Sequence, residues 1–296
     1  MTRSHEDIED FLAELKAQVD RRLDELLPPT GRFPSRLHEC MRYSMTNGGK
    51  RIRPALMAAV ARTLGRDTDE LLSAMCAVEM IHVCSLILDD LPSMDNATMR
   101  YGRKANHLIF GESNAILAAV ALLNQAYAIL SDSCSERDGR RGAVIDETVK
   151  MVGTAGVIGG QFVDLESTGK PIDDDTLEYI ESHKTGALIV GAVRIAAVLS
   201  RAEPTELDAL THFARNLGVA YQICDDILRL TRRPEDLGKL SLRDETTVNY
   251  ARTHGIEKSR ASLHKFTDHA VAALELFGDR ADPLRNLARH LAQRAS

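Results

Sequence analysis

Two pairs of adjacent aspartates carry the clearest chemical potential in the chain: Asp89-Asp90, in the run Asp89-Asp90-Leu91-Pro92-Ser93-Met94-Asp95, and Asp225-Asp226. Clustered carboxylates suit hard cations such as Mg²⁺, which take oxygen ligands and bridge a few acids to substrate phosphates. The competing reading of an isolated Asp-Asp pair is a solvated helix end, but the first pair closes an apolar approach, Ile81-His82-Val83-Cys84-Ser85-Leu86-Ile87-Leu88. A continuous helix would carry Asp95 about 240° round the axis from Asp89. Pro92 disfavours that continuation and changes the path of the chain, which can bring Asp95 back.

The elements that must position these acids read as helices. Apolar residues recur at helical spacing, as in Ile8, Phe11, Leu12, Leu15 and Val19, and alternating strand patterns with Asn-Gly or Asp-Gly turns are nearly absent. An all-α fold is expected. Breaks are expected at 27–31, 46–49, 65–68, 131–142, 167–173, 201–204 and 231–238, each rich in Gly, Pro, Ser or charge. No repeat of solenoid length stands out. Each Asp pair follows an apolar helical stretch, so two helices of one bundle can aim carboxylates into a shared cavity. A mid-chain boundary would split that constellation, so residues 1–296 are read as a single domain.

With 296 residues, 44% of them hydrophobic, the chain can bury a large core. A net charge of -6 argues against nonspecific nucleic-acid binding, so an anionic ligand must meet local clusters of cations. The five cysteines, Cys40, Cys76, Cys84, Cys134 and Cys224, are scattered, with neither a disulfide framework nor a zinc pattern, which points to a reducing cytoplasm. The longest uninterrupted apolar run, 115–123, is short of a membrane span, so none is expected. The glycines of 153–160 lack a Gly-Lys-Ser/Thr ending and read as close helix packing rather than a phosphate loop. Gln161 and Asp164 either reach the cavity or form a surface pair, and Asp173-Asp174-Asp175 reads as a helix N-cap.

The first acidic run resembles the first aspartate-rich motif of trans-isoprenyl diphosphate synthases, in its wider Asp-Asp-x4-Asp form. The similarity continues in order through Gly48-Gly49-Lys50-Arg51-Ile52-Arg53-Pro54, Ala77-Val78-Glu79-Met80-Ile81-His82, Asn106-His107-x3-Gly111-Glu112 and Gly160-Gln161-x2-Asp164. It ends with His183-Lys184-Thr185-Gly186-Ala187-Leu188, Tyr221-Gln222-Ile223-Cys224-Asp225-Asp226-Ile227-Leu228 and Leu237-Gly238-Lys239. The resemblance implies an isoprenoid synthase-like helical bundle, a homodimer, and head-to-tail condensation of isopentenyl diphosphate with an allylic diphosphate. It implies Mg²⁺, three ions with bound diphosphate, on Asp89, Asp90, Asp95 and Asp225, with Asp226 beside them.

By the same resemblance Gly49, Lys50, Arg53 and His82 hold isopentenyl diphosphate, and Arg100, Lys184, Thr185, Gln222 and Lys239 surround the allylic diphosphate. Lys and Arg supply charge-assisted hydrogen bonds to phosphate, and His82 lies on nearly the same helical face as Asp89. Departures from the family pattern are Arg229 in place of a third acid, Tyr101 after Arg100, Thr247 in place of a Lys, Leu88 in place of a His, and Ala97-Thr98 in place of two acids. Arg229 is one turn from Asp225, where it can pair with it, and Arg103 or Lys104 is a candidate to compensate for Tyr101. The small residues Cys84 and Ser85, just before the first motif, leave room for a longer hydrocarbon, so a C20 product is expected ahead of C15. A terpene cyclase and a noncatalytic partner subunit are the alternatives.

Overall fold

The computed structural model describes residues 8–134, 139–232, 240–241 and 249–295. Its long helices are α1 (Ile8–Leu26), α2 (Ser35–Met45), α3 (Ile52–Thr63), α4 (Leu72–Asp89), α6 (Glu112–Asp132) and α7 (Arg140–Val152), with the short α5 (Asn106–Phe110) before α6. They are followed by α8 (Val157–Glu166), α9 (Asp174–Ile180), α10 (Ala187–Leu199), α11 (Pro204–Thr231), α12 (Tyr250–His254), α13 (Ile256–Ala272) and α14 (Asp282–Gln293). The all-α expectation holds, with one local exception. Strands β1 (Ala97–Arg100), β2 (Arg103–Lys104) and β3 (Leu240–Ser241) form a small antiparallel sheet in the order β2-β1-β3, which ties the segment after the first acid motif to the segment after α11.

The central helices α3 and α4 are apolar on nearly every side and are buried accordingly, from Ala55 to Ala61 and from Ala74 to Cys84. The main buried cluster draws on helices from α1, at Phe11, to α14, at Leu291. A smaller cluster, including Ile223, Ile227, Leu263 and Ala292, packs the C-terminal half of α11 against α13 and α14. Asp173 caps α9, its Oδ1 accepting the Thr176 amide at 2.8 Å, as expected. Helix α11 starts with a capping box between Glu203 and Glu206 and Pro204 in its first turn.

The uninterrupted-run argument against membrane spans needs correction. Three stretches, Asp69–Asp89, Glu112–Asp132 and Asp174–Leu199, are long and apolar enough to cross a membrane by length and composition, because isolated polar residues interrupt them without lowering their hydropathy much. The bundle takes up much of that apolar surface: 67% of the Asp69–Asp89 window is buried, against 33% for Glu112–Asp132. The outward side of α6 therefore exposes Ile116, Leu117 and Val120.

The glycines at 153–160 serve two purposes. Gly153 to Gly156 interrupt the chain between α7 and α8, a break the packing interpretation did not anticipate. Gly160 then fits the close-packing expectation: a Cβ there would lie 2.2 Å from the Lys184 amide nitrogen. That approach sets α8 against the segment Glu181–Gly186, a π-helical stretch between α9 and α10.

Candidate active site

The last turn of α4 closes with the Asp90 amide bonded to the Leu86 carbonyl, and the chain then turns through Pro92. The turn returns Asp95, whose amide donates to the Asp89 carbonyl at 2.9 Å. Asp90 is only 3% exposed. Arg100, delivered by β1, donates to both Asp90 oxygens through Nε at 3.1 and 3.2 Å and through Nη2, and lies 3.5 Å from Asp89. Arg100 thus grips Asp90, while Asp89 is also met by Gln161 and Lys184. Gln161 of α8 donates to Asp89 Oδ1 at 3.0 Å, so its side chain reaches the first acid motif.

Lys184 completes this half. Its Nζ lies 2.7 Å from Asp164 of α8 and 3.4 Å from Asp89. Burial works against its charge, but Asp89, Asp164 and Asp95 outweigh burial and hold its pKa above the ordinary lysine value. Lys184 therefore stays charged, and with Arg100 offsets part of the acid cluster. Thr185, its neighbour in the π segment, is half-buried.

A second basic pocket forms where α3 begins. Gly48, Gly49 and Arg51 have φ of 93°, 101° and 51°, a left-handed passage that glycine adopts without penalty at the first two positions. It separates the roles of the three cations that follow. Arg51 turns into the core and bonds Glu79 at 2.8 Å, Asp20 at 2.8 Å and the Met45 carbonyl at 2.7 Å. Lys50 stays exposed, and Arg53 is 8% exposed. The Nε of Arg53 and the Nδ1 of His82 are buried with no hydrogen-bond partner among the described residues. Burial, then the charges of Arg53 and Arg100, push the His82 pKa well below the usual imidazole value, so it is a neutral hydrogen-bonding group. Polar atoms left unpaired at this cost mark a place for an anion.

The second acid motif is more guarded. Asp226, 1% exposed, accepts from Gln222 Nε2 at 2.9 Å and from the Tyr250 amide at 2.8 Å. Burial dominates and pushes its pKa up to about 6. Glu181 of the π segment is pushed to about 8, by burial first and then by Asp226. The π segment therefore meets both motifs: its Lys184 lies beside the first and its Glu181 beside the second. Asp225 is paired with Arg294, Nη2 to Oδ1 at 3.2 Å, and the charge of Arg229 bears on Asp226.

The sequence reasoning missed three groups here. Glu181 and the Tyr250 amide bear on Asp226, and Arg294 bears on Asp225. Glu181 left a trace, an acid inside an otherwise recognisable segment. Arg294 left none, being one arginine on an amphipathic C-terminal helix. Gln222, expected at the allylic diphosphate, is bonded to Asp226, whose buried carboxylate draws its amide. Of the two expected compensators for Tyr101, Arg103 stacks over Tyr43 at 4.4 Å, while Lys104 lines the same small cavity as Tyr101 and Arg100. Cys84 is buried in the core, and the half-buried Ser85 donates to the His82 carbonyl at 2.7 Å. Lys239 and Thr247 lie outside the described residues.

The polyprenyl synthetase family model matches residues 34–271. The chain is 39% identical over 285 residues to the heterodimeric geranylgeranyl pyrophosphate synthase large subunit 1, chloroplastic, of Arabidopsis thaliana, covering 93% of this chain and 76% of that protein. An FPP/GFPP synthase from Zymomonas mobilis superposes with a TM-score of 0.86 at 32% identity, over 97% of this chain and 99% of that one. A geranyltransferase from Helicobacter pylori, complexed with magnesium and isoprenyl diphosphate, shares the fold at a TM-score of 0.85 and 24% identity, over 99% and 98% of the two chains. With the family model matching residues 34–271, most of its length, the chain belongs to the polyprenyl synthetase family.

Proposed function

We propose that this chain is a single-domain prenyltransferase that condenses isopentenyl diphosphate head-to-tail with an allylic diphosphate to make a short-chain prenyl diphosphate. The observation that carries the reading is the pairing of two candidate anion sites: Lys184 beside Asp89 at the end of α4, and the unpartnered His82 Nδ1 about two turns earlier on α4 with the unpartnered Arg53 Nε of α3. A cyclase, acting on one diphosphate alone, has no use for the second pocket.

The acids fit Mg²⁺ by donor type, all hard oxygen. Among the described residues no three His, Cys, Asp or Glu side chains form a ready metal cluster, so the reading assigns the missing ligands to substrate diphosphate. Asp89 and Asp95 on one side and Asp225 on the other are the proposed protein ligands, while Asp90 anchors Arg100. Bound magnesium, three ions in this proposal, supplies electrostatic pull on the departing diphosphate. Lys184 holds the leaving group by charge-assisted hydrogen bonds, with Arg100, Thr185 and Lys239 assigned to the same side. Lys50, Arg53 and His82 orient the isopentenyl diphosphate so that its double bond attacks the ionised allylic carbon. The apolar wall of α4 limits water in the cavity, and the proton lost at the end passes to diphosphate.

The small Cys84 and Ser85 favour a C20 product over C15. The exposed Ile116, Leu117 and Val120 of α6 support a homodimer in which a second copy covers this face. Five cysteines without disulfides support a reducing, cytoplasmic setting. Purified protein with Mg²⁺ and C5, C10 or C15 allylic diphosphate, with and without isopentenyl diphosphate, tests the reading by product mass. Elongation that requires isopentenyl diphosphate is expected. Cyclic hydrocarbon formed without it, or a folded protein with no turnover, contradicts the proposal and favours the cyclase or the noncatalytic subunit.

A further inference from the structure

Arg53 and His82, whose buried nitrogens lack partners, stand on different helices, so their pocket depends on a fixed spacing of α3 and α4. An ion pair sets that spacing close by. Arg51, two residues before Arg53, donates through Nη1 to Glu79 at 2.8 Å, and Glu79 lies about one helical turn before His82. Both members of the pair are buried, so water and salt screen it little.

The same pair holds a backbone that would otherwise relax. Arg51 stands at the start of α3 with φ 51° and ψ 39°, a left-handed conformation unfavourable for a residue with a Cβ. Such a conformation persists where its surroundings over-determine it. Here Glu79 on Nη1 is joined by Asp20 Oδ1 at 2.8 Å from Nε and by the Met45 carbonyl at 2.7 Å from Nη2. On the other side, Asn47 Nδ2 donates to the Arg100 carbonyl at 2.9 Å, and a Cβ at Gly49 would lie 4.0 Å from Tyr101 Cζ. The passage 47–51 is therefore held between the β1–β2 turn and the helices α1 and α4.

We propose that Asp20 and Glu79 are positioning residues for isopentenyl diphosphate: acting through Arg51, they fix the turn that places Lys50 and Arg53 beside His82. The assignment rests on the function proposed above. Asp20 is the outer member, half-buried on α1 and also paired with Lys16. Through it the N-terminal helix bears on the binding of the nucleophilic substrate, a link that spacing could not reveal because Asp20 and Arg51 belong to different elements.

Calorimetric titration in Mg²⁺ buffer with isopentenyl diphosphate, and separately with an unreactive allylic diphosphate analogue, tests the assignment. Asp20→Asn is expected to weaken isopentenyl diphosphate binding about threefold and Glu79→Gln about tenfold, each changing analogue binding less than about twofold. Asp20→Glu keeps the carboxylate and is expected to stay within about twofold of the unaltered chain. In an Arg51→Gly background, where glycine takes the left-handed φ freely, Asp20→Asn is expected to add no further loss.

Unchanged isopentenyl diphosphate binding in either single variant overturns the assignment. So does equal weakening of both ligands, or a loss from Asp20→Asn that persists in full in the Arg51→Gly background. Absence of isopentenyl diphosphate binding in the unaltered chain overturns the proposed function, and this assignment with it. Thermal melts separate these outcomes from misfolding, and if Glu79→Gln or Arg51→Gly does not fold, the contrast between Asp20→Asn and Asp20→Glu decides.

Discussion

The two acid motifs differ in how their charges are kept. At the first, Asp89, Asp90 and Asp95 are met by Arg100, Lys184 and Gln161, contributed by β1, the π segment and α8. At the second, Asp226 is buried and accepts two neutral donors, and Glu181 nearby is pushed up to about 8 by burial first and by Asp226 second. One motif is poised with its counter-charges in place. The other leaves one acid, Asp225, with 30% side-chain exposure and sinks the next into the core. The difference teaches that two similar dipeptides can divide the work: in the proposed function the first motif organises the diphosphate, and the second offers one ligand, Asp225, from α11.

That division is sharpest in turnover. Asp89→Asn removes a proposed metal ligand and the partner of Lys184 together, and is expected to lower kcat about a thousandfold. Asp225→Asn should cost less, roughly tenfold to a hundredfold. Steady-state kinetics with saturating Mg²⁺ checks both, and an equal loss would erase the asymmetry. Lys184→Ala is expected to lower kcat/KM for the allylic diphosphate about a hundredfold, from loss of a buried charge-assisted contact, with the KM for isopentenyl diphosphate nearly unchanged.

Glu181 gives the second motif a pH signature. Its pKa, about 8 when folded, exceeds that of an exposed glutamate, so the folded chain binds an extra proton between roughly pH 4.5 and 8. Stability from this group is present at the low end of that window and is lost as pH rises through about 8. Glu181→Gln, which cannot ionise, should raise Tm at pH 8.5 by about 2 °C, roughly 1 kcal/mol, and change it little at pH 5. Melting curves at the two pH values check this. The smallest expected effect is on product length: Ser85→Phe should shift the product from C20 toward C15 by mass, with modest loss of rate.

Much of the first half of the site was legible in sequence. Apolar residues ending in Asp89-Asp90 gave α4 and its carboxylates, and Pro92 gave the turn that returns Asp95, because proline acts locally. The two glycines at 48 and 49 marked the left-handed passage before α3. Spacing could not say that Arg51 faces the core while Arg53 keeps a free Nε, since that depends on Glu79 from another helix. The small sheet was missed because its strands are two to four residues long and β1 finds its second partner only beyond α11. Arg294 was missed for the same reason: its partners, Asp225 and Tyr221, are fixed by tertiary packing.

The central claim is that the two motifs meet through metal carried on a substrate diphosphate. Its most direct test is a titration of the protein with Mn²⁺ as a spectroscopic stand-in for Mg²⁺, followed by electron paramagnetic resonance with and without an unreactive allylic diphosphate analogue. Weak binding alone, tight binding with the analogue, and loss of the tight sites in Asp89→Asn are the results expected. Tight metal binding without any diphosphate, unaffected by Asp89→Asn, would contradict the account.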